Sequence, residues 1–236
     1  LQEIGVDYTI DYARRLGITS DLTRTLSLAL GASGVSLFEL TRAYSVFANQ
    51  GELVEPVFVL SVTDRDGRVL EEAQADRRRV IEAGTAYLMT SMLESVVQHG
   101  TGQKAKALNR PAAGKTGTTN DTYDAWFIGY TREYIAGVWV GFDDEQPLGK
   151  TETGAAAALP IWLGFMQRVL ANEPIKVFEA PEGIVFAKID AQTGLLPVPE
   201  SHKTIFECFK EGTVPVEYSK RPGEVKETED FLKKDL

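Results

Sequence analysis

The residues best suited to chemistry lie in Ala113-Gly-Lys-Thr-Gly-Thr-Thr119. A lysine between glycines and threonines fits one physical task. Glycines let a ligand approach the backbone, hydroxyls and amides donate hydrogen bonds, and the ammonium supplies charge. Such a segment holds a carboxylate or a phosphate. Two structural settings fit it. One is a phosphate loop, Gly-x4-Gly-Lys-Thr, ended by Gly114-Lys115-Thr116 and followed by a strand-plus-aspartate at Val138–Asp144. The other is a strand edge. The loop needs a glycine at position 109, where Asn109 stands. Its lysine must also open a helix. Here Gly117-Thr-Thr-Asn-Asp121 follows, a poor helix former that leads into a strand-like run. The strand edge is the better reading.

Other reactive residue types give weaker signals. His99 and His202 lie far apart in sequence, with no carboxylate or cysteine cluster around them, so neither reads as a triad or metal residue. No metal site is expected. Cys208 is the single cysteine and reads as a structural thiol. Asn120 and Asp121 border the cleft or form an ordinary turn. Trp126 reads as core. The net charge of −9 argues against nucleic acid, whose phosphates need a basic face. No run approaches the ~18 apolar residues of a membrane span.

The elements that would position the motif follow from periodicity. Asp7 reads as the N-cap of a helix through Leu16, stopped by Gly17. Ser36 and Glu39 form a capping box ahead of Leu37, Leu40, Tyr44 and Phe47. Residues 57–62 and 68–70 flank Asp64-Arg-Asp-Gly67, a hairpin signal. A helix is predicted over 84–99, broken by Gly100-Thr-Gly102. Three strands follow, near 113–118, 125–130 and 134–142. Only three residues separate the last two, which makes them antiparallel. An apolar helix over 155–170, with Pro160 in its first turns, covers one sheet face. Residues 174–218 read as less regular. The charged stretch 219–236 reads as a frayed, disordered tail.

With these residues in place, a family resemblance appears. Gly114-Lys-Thr-Gly-Thr-Thr119, Asp124–Thr131 and Ala136–Asp143 resemble the transpeptidase domain of class A penicillin-binding proteins nearly residue for residue. Gly31–Leu40 with Ala43–Asn49 looks like the helix after that family's second motif. His99-Gly-Thr-Gly102 looks like one of its turns. Gly183–Asp190 and Gly212-Thr-Val-Pro215 resemble the C-terminal extension of the bifunctional enzymes. The resemblance covers roughly residues 1–218.

The resemblance implies an α/β (α+β) fold of the serine β-lactamase/transpeptidase type, a mainly antiparallel sheet flanked by helices and incomplete on its N-terminal side. It divides the chain into 1–173, the C-terminal part of the transpeptidase domain; 174–218, the extension; and the tail. Lys115 sets the field around the substrate carboxylate and supports proton transfer. Thr116 and Thr118 hydroxyls bind that carboxylate, and the Thr118 amide supplies half of an oxyanion hole. Gly117 allows close approach, and Thr119 completes the substrate-binding edge. No cofactor is implied. The implied partners are a D-Ala-D-Ala stem peptide and β-lactams. The implied location is outside the cytoplasmic membrane, held by an anchor not seen in this sequence.

The family also needs Ser-x-x-Lys, and no serine here has a lysine three residues on. Ser-x-Asn and Tyr-x-Asn are absent too. The sequence therefore reads as a piece that starts inside the domain and is inactive alone. A piece without its nucleophile helix is expected to expose an apolar face, which a homodimer would cover. A non-catalytic binding module, and a carboxypeptidase or β-lactamase type of hydrolase, are the alternatives at this point.

Overall fold

The computed structural model describes residues 1–144 and 146–220. Most of the expected tail therefore lies outside the described residues. The chain divides into two compact units, residues 1–179 and from 180 onward.

The first unit begins with α1 (Val6–Arg15). Asp7 is not its cap. Gly5, at φ 85°, turns the chain into the helix one residue before Val6, and no side chain caps it. Asp7 falls in the first turn, where a carboxylate suits the helix dipole, and it pairs with Arg24. In α2 (Leu37–Ala48) the capping box forms as expected. The Glu39 N–H donates to Ser36 Oγ at 3.1 Å, and the Glu39 carboxylate accepts from the Ser36 N–H at 3.4 Å. Glu39 has a second task. Its carboxylate also accepts from the N–H groups and hydroxyls of Thr19 and Ser20, tying the preceding loop to the start of α2.

Two short hairpin-like pairs follow. β1 (Glu52–Val54) pairs antiparallel with β4 (Arg77–Arg79), a strand that the sequence pattern did not suggest. Three consecutive arginines lack alternation. What holds them is buried Leu53 and the Arg79 guanidinium on the Gln50 carbonyl, 2.7 Å away. β2 (Ser61–Thr63) and β3 (Val69–Glu72) form the expected hairpin, with Asp64 Oδ1 accepting from the Asp66 and Arg68 N–H groups. The first strand starts at Ser61 rather than at residue 57, and Phe58 stacks instead on the Phe38 ring of α2, with centroids 6.4 Å apart.

After α3 (Ala83–His99) and a 3₁₀ turn at Gln103–Leu108 comes the central sheet. β5 (Ala113–Thr118), β6 (Asp124–Tyr130) and β7 (Ile135–Gly141) lie in that order, all antiparallel. On one face, α4 (Leu159–Val169) lays fully buried Trp162 edge-on to Phe127, with ring centroids 5.0 Å apart. The Trp162 indole N–H donates to the Gly129 carbonyl at 2.9 Å, so the largest core side chain leaves no polar atom unpaired. On the other face, Tyr130, Ala113 and Leu93 pack with Tyr44 and Phe47. The helix predicted over 155–170 is a π-turn at Gly154–Ala158 followed by α4, with Pro160 in the first turn.

The second unit is more regular than its sequence suggested. β8 (Ile184–Asp190) and β9 (Thr204–Lys210) form a full seven-residue antiparallel pair. Its polar anchor is Asp190, which accepts from the Gln192 and Thr193 N–H groups. The Ser201 hydroxyl, and then the Gln192 N–H, hold the Asp190 carboxyl below its usual range. Among the described residues, no helix is long and apolar enough to cross a membrane.

Hydrogen bonds from the Ser20 and then the Thr19 hydroxyl hold the Glu39 carboxyl down to about 2. A carboxyl with a depressed folded-state pKa contributes stability that is present above its unfolded value of 4.5 and lost as pH falls towards 2. Urea midpoints of wild type should therefore fall between pH 4.5 and 2 by more than those of Glu39→Gln. Equal acid slopes would show that the carboxylate does not act as a clamp.

Candidate functional site

The candidate site is built on β5. No strand pairs with its outer edge among the described residues. The Thr119 N–H donates to the Asp124 carbonyl at 3.2 Å, which fixes the phase of the ladder. In an antiparallel pair, backbone groups alternate between facing the partner and facing away. Residues 113, 115, 117 and 119 therefore direct their amides at β6. Gly114, Thr116 and Thr118 direct theirs outward. Side chains alternate as well. Lys115 shares a face with Ile128 and Tyr130, while Thr116 and Thr118 share the α4 face with Phe127.

Lys115 is exposed, and its ammonium donates to the Thr116 carbonyl at 2.6 Å. It stands in mid-strand, far from any helix start, which excludes the phosphate loop. Thr116 is buried at 8% exposure, with its hydroxyl 2.6 Å from that of Thr101. Thr118 is exposed, and its hydroxyl accepts from the Gly154 N–H at 3.1 Å. Gly117 has Trp126 across the ladder, and a Cβ there would sit 3.1 Å from the Trp126 Cβ. Thr119 closes the strand end, its hydroxyl accepting from the Asp124 N–H at 2.8 Å.

The structure thus brings Lys115, Thr116, Gly117 and Thr118 to one open edge and places Thr119 at its turn. Asn120 and Asp121 lie in a tight turn, with Asp121 at φ 57°. Trp126 is half-buried rather than core. It packs against Trp139, its partner across the β6–β7 ladder, with centroids 6.3 Å apart and both rings partly open. His99 and His202 are exposed, and Cys208 is a free, half-buried thiol. The described residues hold no group of three or more His, Cys, Asp or Glu side chains able to bind a metal.

Sequence reasoning missed three positions around this edge. Thr101 was seen only as part of a turn. Gly154 was read as the approach to a helix. Yet a Cβ there would lie 2.3 Å from the Trp126 carbonyl oxygen and 2.6 Å from that of Gly117. Glu94, on α3, was hidden in an apolar helical stripe. Burial pushes its carboxyl up to about 7. Burial also raises the Tyr130 phenol, and the charge of Glu94 adds to that rise.

Comparison with known proteins bears on the family and the fold. Residues 13–160 match the model of the penicillin binding protein transpeptidase domain, more than half of the chain. The chain belongs to the penicillin-binding transpeptidase family. Residues 180–224 match the C-terminal domain of penicillin-binding protein 1A. Penicillin-binding protein 1A of Pseudomonas aeruginosa is 36% identical over 94% of this chain and 33% of its own length. That of Aquifex aeolicus is 36% identical over 91% of this chain and 29% of its own. The crystal structure of penicillin-binding protein 1A from Haemophilus influenzae superposes with a TM-score of 0.85 at 29% identity, over 93% of this chain and 38% of that one. The chain therefore spans about a third of the length of the relatives it matches. Its fold is that of the penicillin-binding and β-lactamase-like enzymes, as the resemblance implied.

Two outcomes follow for this unit of the family. Gly154→Ala drives a methyl into two carbonyl oxygens, and overpacking of this kind costs about 1–3 kcal/mol. It should lower the thermal midpoint, whereas an unchanged midpoint would place Gly154 away from the strand. Glu94 has a folded-state pKa above its unfolded value, so the unfolded chain binds fewer protons between 4.5 and 7. Stability should fall as pH rises through that window, and Glu94→Gln should flatten the fall. An unaltered slope in the variant would mean that Glu94 is solvated.

Proposed function

We propose that this chain supplies the carboxylate-gripping and oxyanion side of a serine D,D-transpeptidase that cross-links peptidoglycan stem peptides. One observation carries the reading: Lys115-Thr-Gly-Thr118 lies on an unpaired strand edge with alternate amides facing out. A peptide ending in D-Ala-D-Ala can lie along such an edge.

In this reading each residue of the edge takes one role. The Lys115 ammonium favours a terminal carboxylate and holds its field steady during proton transfer. The Thr116 and Thr118 hydroxyls donate to that carboxylate. The outward Thr118 N–H is one donor for the developing oxyanion, and removing one such donor typically costs about 10²–10³ in rate. Gly117 leaves the backbone open to the peptide, and Thr119 fixes the turn that ends the strand.

Serine oxygen bonds to the penultimate D-alanine carbonyl carbon, and the bond to the terminal D-alanine nitrogen breaks. The departing amine carries away a proton. An amine from a neighbouring stem peptide then attacks the acyl-enzyme, releases the serine and forms the cross-link. β-Lactams present a carboxylate and a reactive amide in a similar arrangement and stall at the acyl stage.

None of the 236 residues forms Ser-x-x-Lys. In this proposal the nucleophile and the second oxyanion donor come from outside these residues. So does the anchor that places the domain on the outer side of the cytoplasmic membrane.

The isolated chain should therefore form no covalent adduct with a fluorescent penicillin on a denaturing gel, while a longer form carrying the missing motif is labelled. A labelled band at the mass of this chain would refute the assignment of the nucleophile. An unlabelled longer form would refute the transpeptidase reading.

A further inference from the structure

The two motif hydroxyls are both held from behind. Thr118 Oγ1 accepts from the Gly154 N–H at 3.1 Å. A backbone N–H can only donate, so the Thr118 hydroxyl proton is left to point elsewhere. Thr116 Oγ1 lies 2.6 Å from Thr101 Oγ1, and here either oxygen can donate. Thr116 and Thr118 share a strand face, so a carboxylate bound at one is within reach of the other.

The turn that carries Thr101 is itself anchored. The Gly100 and Gly102 N–H groups both donate to the Val96 carbonyl, at 3.0 and 3.1 Å, at the end of α3. The Ala105 N–H then donates to the Gly102 carbonyl at 2.9 Å. Thr101 is thus held between two bonded residues, with its hydroxyl aimed at a side chain that is only 8% exposed. No other hydrogen bond of the Thr101 hydroxyl is present among the described residues, so its proton has one protein destination.

We infer that Thr101 is a positioning residue for carboxylate recognition: its hydroxyl donates to Thr116 Oγ1, which leaves the Thr116 proton to donate to the bound carboxylate. This inference rests on the carboxylate role proposed above for the β5 edge. In such a relay each bond polarises the next, so removing the first hydroxyl weakens the last contact without removing it. Gly154 does the same for Thr118 through its main chain. The two hydroxyls therefore reach the ligand as donors, which suits an anion and disfavours a neutral amide.

The test uses the chain itself in two measurements. In the first, side-chain couplings of Thr116 report its χ1 rotamer in wild type, Thr101→Val and Thr101→Ser. Valine keeps the shape and removes the donor, while serine restores it. Wild type and the serine variant should hold one rotamer, and the valine variant should average over several. A single rotamer in Thr101→Val overturns the inference.

In the second, ¹⁵N-labelled protein is titrated with acetyl-D-Ala-D-Ala and with its C-terminal amide, reading the Thr116 and Thr118 amide shifts. Wild type should prefer the acid. Thr101→Val should lose about fivefold of that preference, the worth of one net hydrogen bond, and Thr101→Ser should regain it. A purely structural role would weaken acid and amide alike, and that result also overturns the inference. Absence of any acid preference in wild type would overturn the carboxylate reading and the inference together. A wild-type preference kept intact by Thr101→Val would overturn the inference alone.

Discussion

An edge strand can offer its outward amides to a ligand only if its inward amides and its register are fixed elsewhere. That constraint organises the first unit. β6 takes the inward-facing groups of β5, residue against residue from Ala113↔Tyr130 to Thr118↔Ala125. α4 clamps β6 from one face through Trp162, which fills the core and bonds the Gly129 carbonyl. From the other face, Thr90 on α3 meets the Tyr130 hydroxyl at 2.9 Å. A one-residue slip would turn Lys115 to the α4 face and bury its ammonium beside Phe127, at the cost of an unpaired buried charge. Packing around Phe127 and Trp162 thus places the lysine on its face.

The same logic explains the crowding behind the strand. Gly154 touches the backbone of both β5 and β6, and a larger residue would separate the helix start from the ladder. This close approach brings a main-chain N–H within reach of Thr118. The turn after α3 brings a hydroxyl to Thr116. Fold and strand edge share these contacts, so a change at either position acts on stability and on the placement of the two hydroxyls together. Glu94 and Glu39 mark the two electrostatic extremes of the unit. One is a carboxyl that burial makes reluctant to ionise, the other a carboxylate held charged by hydroxyls.

Much of this was legible in the residues. The strand edge at 113–118 followed from a lysine among small residues with no helix former after it. The antiparallel order followed from a three-residue connection. The capping box at Ser36 and Glu39 followed from spacing alone. Other features could not be read, for physical reasons. Gly5 took the place of Asp7 as cap because a left-handed φ is invisible in a residue list. Arg77–Arg79 formed a strand because a buried leucine across from it decides pairing, not its own pattern. The regular β8–β9 pair could not be read because a long connection, residues 191–203, separates its strands, and no local turn signal sets their register. Thr101 and Gly154 are local nonentities whose partners lie 15 and 36 positions away. Only the folded chain brings them to the motif.

The central claim is that the β5 edge grips a peptide's terminal carboxylate. Its most direct test is a crystal structure of this chain soaked with acetyl-D-Ala-D-Ala. The account predicts the peptide extended along β5, with its carboxylate bonded to the Thr116 and Thr118 hydroxyls and near the Lys115 ammonium. A carboxylate seated away from residues 115–118, with that edge left empty at saturating peptide, would contradict it.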